Sequence, residues 1–293
     1  MNGVIVVDKP AGWTSHDVVN RMRRIAGTKK VGHLGTLDPL ATGVLPLLVN
    51  RATRLAQFFT ANEKTYEGLV RFGWATGSYD ADGEPTSAPV PPELTAERVE
   101  GVFSAFRGTF QQTPPPVSAK KIGGRPAYEL ARKKIEFELR PVEVTVHSLE
   151  VLAIDGDDVR LRLRCSAGTY VRSIAHEAGL RLGCGAFLQA LRRTASGGFS
   201  IGQARTLDEL AELAAAQRLA EALIPAAELL PEMPLEIVDR ITETQIRQGR
   251  DFRVSPFRSR GDAHFVKAAN LDGELIGIGE AVLPNVYHPA VVL

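Results

Sequence analysis

Residues 32–46, GHLGTLDPLATGVLP, decide how this chain is read. Glycines, prolines and short apolar runs alternate with one histidine, His33, and one carboxylate, Asp38. Neither a helical period nor a strand alternation persists over 31–48, so the spacing predicts a structured loop between elements. An Asp before Pro, taken by itself, is a turn former. Here the surroundings are more apolar than a plain surface turn requires, and His33 lies in the same loop. A carboxylate in a partly apolar pocket needs a cationic partner to stay ionised. Arg172, which follows Gly168-Thr169-Tyr170 at the start of a predicted helix, is a candidate for that partner.

Outward from this stretch, residues 3–7 (GVIVV) predict a short buried strand. Thr14-Ser15-His16-Asp17 then opens a helix with a hydroxyl cap and an acid three residues on, and Gly27 closes it. Its polar side carries Arg21, Arg23 and Arg24, with Lys29 and Lys30 just beyond. A strand is expected at 65–73, an acidic loop or mobile arm at 76–95 and a helix at 95–106. Residues 111–134 start as a Pro-rich turn and end as a basic helix. Strands are expected at 142–154 and 159–165, around the turn Asp155-Gly156-Asp157. In the second strand Arg160, Arg162 and Arg164 alternate with apolar residues, predicting one wet, positive face. A helix follows at 170–182, and an Ala/Leu/Glu-rich helical region at 206–230. Pro231 and Pro234 mark a linker, so the expected units are 1–230 and a small all-β unit at 235–293.

The 293 residues carry a net charge of +1, which gives no global pull toward polyanions. Residues 1–75, however, hold ten Lys/Arg against five Asp/Glu, and a balanced total can hide a basic face. Two cysteines outside any metal-ligand spacing predict a reduced, cytoplasmic compartment. The first residues do not read as a signal peptide, and no apolar run nears the ~20 residues of a membrane span. There is no GxSxG, HExxH, P-loop or CxxC pattern, and the six histidines do not cluster. Acyl-transfer, nucleotide and metal chemistries lose weight accordingly.

GHLGTLDPLATGVLP resembles the catalytic motif of the TruB family of tRNA pseudouridine synthases, and further segments match in order. Lys9-Pro10 with Gly12 and Ser15 resembles the family's first motif. Lys64-Thr65-Tyr66-Glu67, with Gly73 and Asp82-Gly83-Glu84, resembles its second. PPPVSAKKIGGRPAYELARK at 114–133, Gly168-Thr169-Tyr170-Val171-Arg172-Ser173 and Leu191-Arg192-Arg193-Thr194 complete the set. The resemblance spans about residues 3–200. It departs at Leu34, where bacterial members often carry Thr. It implies an α+β fold, with a mixed, mainly antiparallel central sheet flanked by helices and loops. A small C-terminal β-barrel of the PUA type would bind RNA.

The resemblance also implies an activity: isomerisation of uridine 55 in the T loop of tRNA, without cofactor or metal, by a monomer that needs no protein partner. Asp38 becomes the catalytic carboxylate, attacking C1′ or taking a proton from C2′. Arg172 would hold Asp38 ionised. Tyr66, also in the catalytic set, would stack on the base or take the C5 proton after rejoining, although a phenol with an ordinary pKa near 10 is a poor base at neutral pH. Tyr170 and Leu191 would wall the pocket, and His33 would fill the vacated stack. The substrate-binding set further includes Lys9, Arg23, Lys29, Lys30, Lys64, Lys120, Lys121, Arg132 and Arg193. Three other readings compete: an RNA chaperone with secondary catalysis, a guide-RNA-dependent relative of the dyskerin type, and a glycosidase. The chain shows no long Lys-rich tail for the second and no second carboxylate in its matched motifs for the third.

Overall fold

Strand β1 (Gly3–Lys9) is buried on both faces because its consecutive apolar residues serve two cores at once. Ile5 and Val7 point into one cluster, and Val4 and Val6 into the other. This is the period-2 geometry of a strand with a packed layer on either side. The computed structural model describes residues 1–118, 121–122, 125–126, 139–254 and 263–293, the backbone alone at 121–122 and 125–126. After β1 come α1 (Ser15–Ile25), β2 (Val31–His33), β3 (Thr42–Val49), β4 (Lys64–Phe72), α2 (Ala96–Ser104) and β5 (Gly108–Gln112). Then follow the short pair β6 (Lys121–Ile122) and β7 (Arg125–Pro126), the hairpin β8 (Val142–Asp155) and β9 (Asp158–Cys165), and α3 (Val171–Leu182). β10 (Ala186–Ser196), β11 (Phe199–Ser200), α4 (Leu207–Ala215) and β12 (Leu223–Pro225) complete the first sheet and its cover.

That sheet runs β12-β1-β3-β10-β4-β9-β8-β5, with β2 beside β3 and β11 beside β10. Its pairings are antiparallel except β3 with β10, so it is mixed and mainly antiparallel, as expected. Several expectations need correction. Residues 31–48 are not loop throughout: Val31–His33 and Thr42–Val49 are strands, and only the segment between them loops out. Pro46 sits in β3 without breaking it. Its carbonyl accepts from Leu34 N–H at 2.9 Å, so the side lacking an N–H faces the loop and the β1 ladder is intact. The region 206–230 is α-helical only at Leu207–Ala215, with short 3-10 turns at Leu219–Ala222 and Ala226–Glu228, and Leu223–Pro225 pairs with β1 as an edge strand. The basic strand face is not bare: Arg162 pairs with Glu67 and Arg164 with Glu63 across to β4 and its entry. β10, the central strand, had no counterpart in the sequence reading. The expected helix ending the 111–134 stretch lies outside the described residues.

The second sheet comprises β13 (Leu235–Ile237), β14 (Phe252–Arg253), β15 (Phe265–Ala269), β16 (Leu275–Leu283) and β17 (Val286–Val292), ordered β13-β15-β16-β17-β14. It forms a PUA-like half-barrel and is not all-β, because α5 (Arg240–Arg247) packs against it. Leu275, Ile278, Val291 and Leu293 join Val4, Val6, Val44 and Leu48 in one buried cluster, so this sheet covers the back of the first. Phe58 meets Phe265 edge-on at 5.3 Å, and Lys267 donates to Ala227 and Leu229 carbonyls across the seam. No helix among the described residues is long and apolar enough to cross a membrane.

Candidate active site

Asp38 lies on the loop joining β2 to β3, and that loop is fixed from three sides. Ser15 Oγ, at the start of α1, donates to Leu37 O at 3.1 Å and accepts from Leu37 N–H at 2.8 Å. α1 is held there by a reciprocal capping box between Thr14 and Asp17. Lys9 Nζ donates to Pro10 O at 2.9 Å and to Pro39 O at 3.1 Å. Arg193, from β10, donates to Val44 O at 2.7 Å, Gly35 O at 3.1 Å and Thr36 O at 3.4 Å. Gly43 has φ +98, and a Cβ there would lie 2.2 Å from Arg193 O. Only glycine lets β3 and β10 run this close.

Against the loop stands Arg172, on the first turn of α3 and almost fully buried. Its Nη2 donates to Asp38 Oδ1 at 3.1 Å, and its Nε lies 2.9 Å from Asp38 Oδ2. Nη1 donates to Asp80 Oδ2 at 3.1 Å and to Ser78 O at 3.0 Å, and Nη2 also reaches Val117 O at 3.0 Å. Four hydrogen bonds from Nη1 and Nη2 thus fix the plane of the guanidinium, while Nε sits beside Asp38 Oδ2 as an ion-pair contact without a hydrogen bond. Asp38 is different: about a third of its side chain (34%) is open to the cavity. Burial pushes its carboxyl above the usual carboxylate range, the Arg172 charge pulls it down, and Asp80 adds to the upward push.

Asp80 is the residue that sequence reasoning missed. The stretch 76–95, expected as an acidic loop or mobile arm, is a loop that carries a buried acid with 6% of its side chain exposed. Its carboxylate also receives the Ser78 hydroxyl and the Asp82 N–H. The arm turns through a left-handed Tyr79 (φ 66), whose ring stacks on His176 of α3 at 3.7 Å and 8°. Tyr79 O and Ala81 N–H then pair with Leu188 of β10. The one available signal was the acid two residues before the matched Asp82-Gly83-Glu84.

Seven expected residues line a single cavity of about 530 Å³: Asp38, Lys64, Tyr66, Tyr170, Arg172, Leu191 and Arg193. The register explains the grouping. Tyr66 of β4 pairs with Arg193 of β10, and Gly68 with Leu191, so these side chains share one sheet face. Tyr170 is fixed through its backbone by the buried Gln112 amide, which accepts from its N–H at 2.8 Å and donates to its C=O at 3.1 Å. Burial pushes the phenols of Tyr66 and Tyr170 above their ordinary values. Lys64 also lines the wall, and burial lowers its ammonium.

Other expected binding residues go elsewhere. Lys9 is turned inward and fully buried, and so is Arg193, although Arg193 also lines the cavity; the donors of both are spent on loop carbonyls and not presented to a polyanion. Burial brings Lys9 down to about 8. Arg23 is half-buried and donates to Asn20 and Val31 O, whereas Lys29 and Lys30 are exposed. His33 does not line the cavity; its Nδ1 is buried without a partner, and burial lowers its pKa. The side chains of Lys120, Lys121 and Arg132 lie outside the described residues. Leu34, the departure from the family pattern, is packed in the rear cluster away from Asp38. Among the described residues no three His, Cys, Asp or Glu side chains gather at metal-binding distance.

A mixed sheet covered by helices, with a curled five-strand half-barrel behind it, is the architecture of the pseudouridine synthases. Similar solved structures are a Cbf5-Nop10-Gar1 complex (TM-score 0.71, 30% identity, covering 97% of this chain and 79% of that one) and an H/ACA RNP bound to a substrate RNA containing 2'-deoxyuridine (TM-score 0.70, 26% identity, 99% and 84%). Residues 23–171 match the TruB family pseudouridylate synthase N-terminal domain, and residues 172–231 the tRNA pseudouridylate synthase B C-terminal domain. The tRNA pseudouridine synthase B of Solibacter usitatus (strain Ellin6076) is 62% identical over 293 residues, covering all of both chains. That of Azoarcus sp. (strain BH72) is 41% identical over 281 residues, covering 96% of this chain and 91% of its own. The chain belongs to the TruB family of pseudouridylate synthases.

Proposed function

We propose that this chain converts uridine to pseudouridine in the T loop of tRNA, at uridine 55, with Asp38 as the catalytic carboxylate and no cofactor. The observation that carries the reading is the bidentate approach of buried Arg172 to a carboxylate that still faces the cavity. The reaction breaks N1–C1′, turns the uracil and joins C5 to C1′; the C5 proton leaves and N1 gains one, so the product is an isomer. Asp38 acts at the sugar, by attack on C1′ or by removal of the C2′ proton, and either route needs it ionised. Arg172 keeps it so against burial. Tyr66 retains its proton at neutral pH and contributes a flat face and a phenol, with Tyr170 and Leu191 on the other walls. The uridine leaves its stack to enter, at a few kcal/mol, and His33 fills the gap. Lys29, Lys30 and Arg23 meet the RNA backbone, so affinity falls with salt. The 235–293 unit adds RNA contacts, and the reaction runs in the cytoplasm on free tRNA.

The test is incubation of wild type and Asp38→Asn with unmodified tRNA, without other proteins, followed by mapping of pseudouridine. The expected outcome is modification at uridine 55 by wild type alone, with the variant binding tRNA normally. Full activity of the variant sinks the role of Asp38. Dependence on an added guide RNA and proteins would favour the second reading, prompted by the likeness to H/ACA assemblies.

A further inference from the structure

Beyond the Asp38 cavity, the sequence 12–24 builds a second concavity that the proposed reaction leaves unused. Its volume is about 360 Å³. One wall is the Gly12-Trp13 turn. The other is a stripe of α1 made by Asp17, Asn20, Arg21 and Arg24, whose spacings of three and four put them on one helix face. Trp13 is 38% exposed. A single exposed tryptophan is ordinary in itself. What sets this one apart is its company: no described residue supplies a ring against the indole or a carboxylate to Arg21 or Arg24. The one acid in the stripe, Asp17, is turned toward the Thr14 N–H and hydroxyl at 3.0 and 2.6 Å.

The position is also informative. Gly12 N–H donates to Pro39 O at 2.8 Å, and Ser15 exchanges hydrogen bonds with Leu37. Trp13 therefore sits between two residues stitched to the immediate neighbours of Asp38. A ligand on Trp13 is registered on the same rigid piece as the carboxylate. Aromatic faces stack any base, and guanidinium groups pair with phosphate, so an indole flanked by two free cations suits an unpaired nucleotide.

We propose that Trp13, Arg21 and Arg24 form an auxiliary nucleotide site, in which an unpaired base of the substrate RNA stacks on the Trp13 indole while its phosphate lies against the two guanidinium groups. The inference rests on the pseudouridine synthase reading and adds a second anchor on the same RNA. It is tested in the full chain carrying Trp74→Phe, which leaves Trp13 as the sole emitter of the two tryptophans. Titration with unmodified tRNA should quench Trp13 emission saturably. Trp13→Ala should raise KM for tRNA by about 5- to 150-fold, the range for loss of one stacked base, with kcat little changed. Trp13→Phe should restore most of the loss. Arg21→Ala/Arg24→Ala should raise KM and flatten its dependence on salt. Thermal melting separates unfolding of a variant from loss of contact. Unquenched emission at saturating tRNA, or an unchanged KM in Trp13→Ala, overturns the site while wild-type activity leaves the enzyme reading standing. No pseudouridine from wild type fails the reading itself.

Discussion

Arg172 has more to satisfy than any other side chain near the cavity: two carboxylates and two carbonyls. Lysine has three donors and no plane, so Arg172→Lys cannot hold all four. We expect kcat to fall by at least ~10²-fold with the fold retained, measured by single-turnover kinetics and melting. Asp38 carries a pH signature. Because burial raises its folded pKa above the unfolded value near 3.9, activity should fall as pH drops through a point above the ordinary carboxylate range. The stability consequence has the opposite sense. A carboxyl with a raised folded pKa stabilises fully below the unfolded pKa and loses that contribution as pH rises through the folded one. At neutral pH ionised Asp38 is therefore a net cost. Asp38→Asn should melt no lower than wild type, and a clear drop in Tm would show that the ion pair outweighs burial. This residue and its partner were legible in sequence once the ordered motifs accompanied them. Lys9 and Arg193 were not, because a cation's residue type does not say whether its head meets phosphate or a carbonyl of its own fold.

Strand β10 supplies Leu191 and Arg193 to the cavity and separates β3 from β4. It escaped notice because Leu-Gln-Ala-Leu-Arg-Arg favours helix locally, and its register shifts after Leu188 and Arg193 spoil a clean alternation. Tertiary pairing on both edges overrides that preference. By contrast β1, α1 and the β8–β9 hairpin were readable, since a capping box, a Gly turn and strict alternation carry their own local signals. The 76–95 arm misled for the complementary reason: acidic, Pro-rich composition describes solvent-facing loops on average, whereas Asp80 is buried by a partner ninety-two residues away. At the β3–β10 contact, Gly43→Ala combines a positive φ with a 2.2 Å approach to Arg193 O. It should destabilise by at least about 2 kcal/mol in urea titrations and weaken activity with it.

Two sheets share one buried cluster, with Leu275, Ile278, Val291 and Leu293 packed on the back of β1 and β3. The boundary at 171/172 between the two matched family regions falls inside the first sheet's layer, directly before Arg172. A fragment of residues 1–171 would lack α3 and β10, so β3 and β4 would have no strand between them. We expect it to show no cooperative thermal transition by calorimetry; a sharp melt would show the N-terminal region to be self-sufficient. The order of the strands has a further consequence, in time. A ribosome delivers β3 and β4 well before β10, yet neither neighbours the other in the finished sheet. Their edges must wait, open, until a strand more than a hundred residues later arrives to insert between them. Such long-range closure is slow and exposes unpaired edges to other chains. The nascent protein is thus vulnerable to mispairing during that interval, and the same strand that ends it brings Arg193 to lock the Asp38 loop. Competence to react and release from that hazard come in one event.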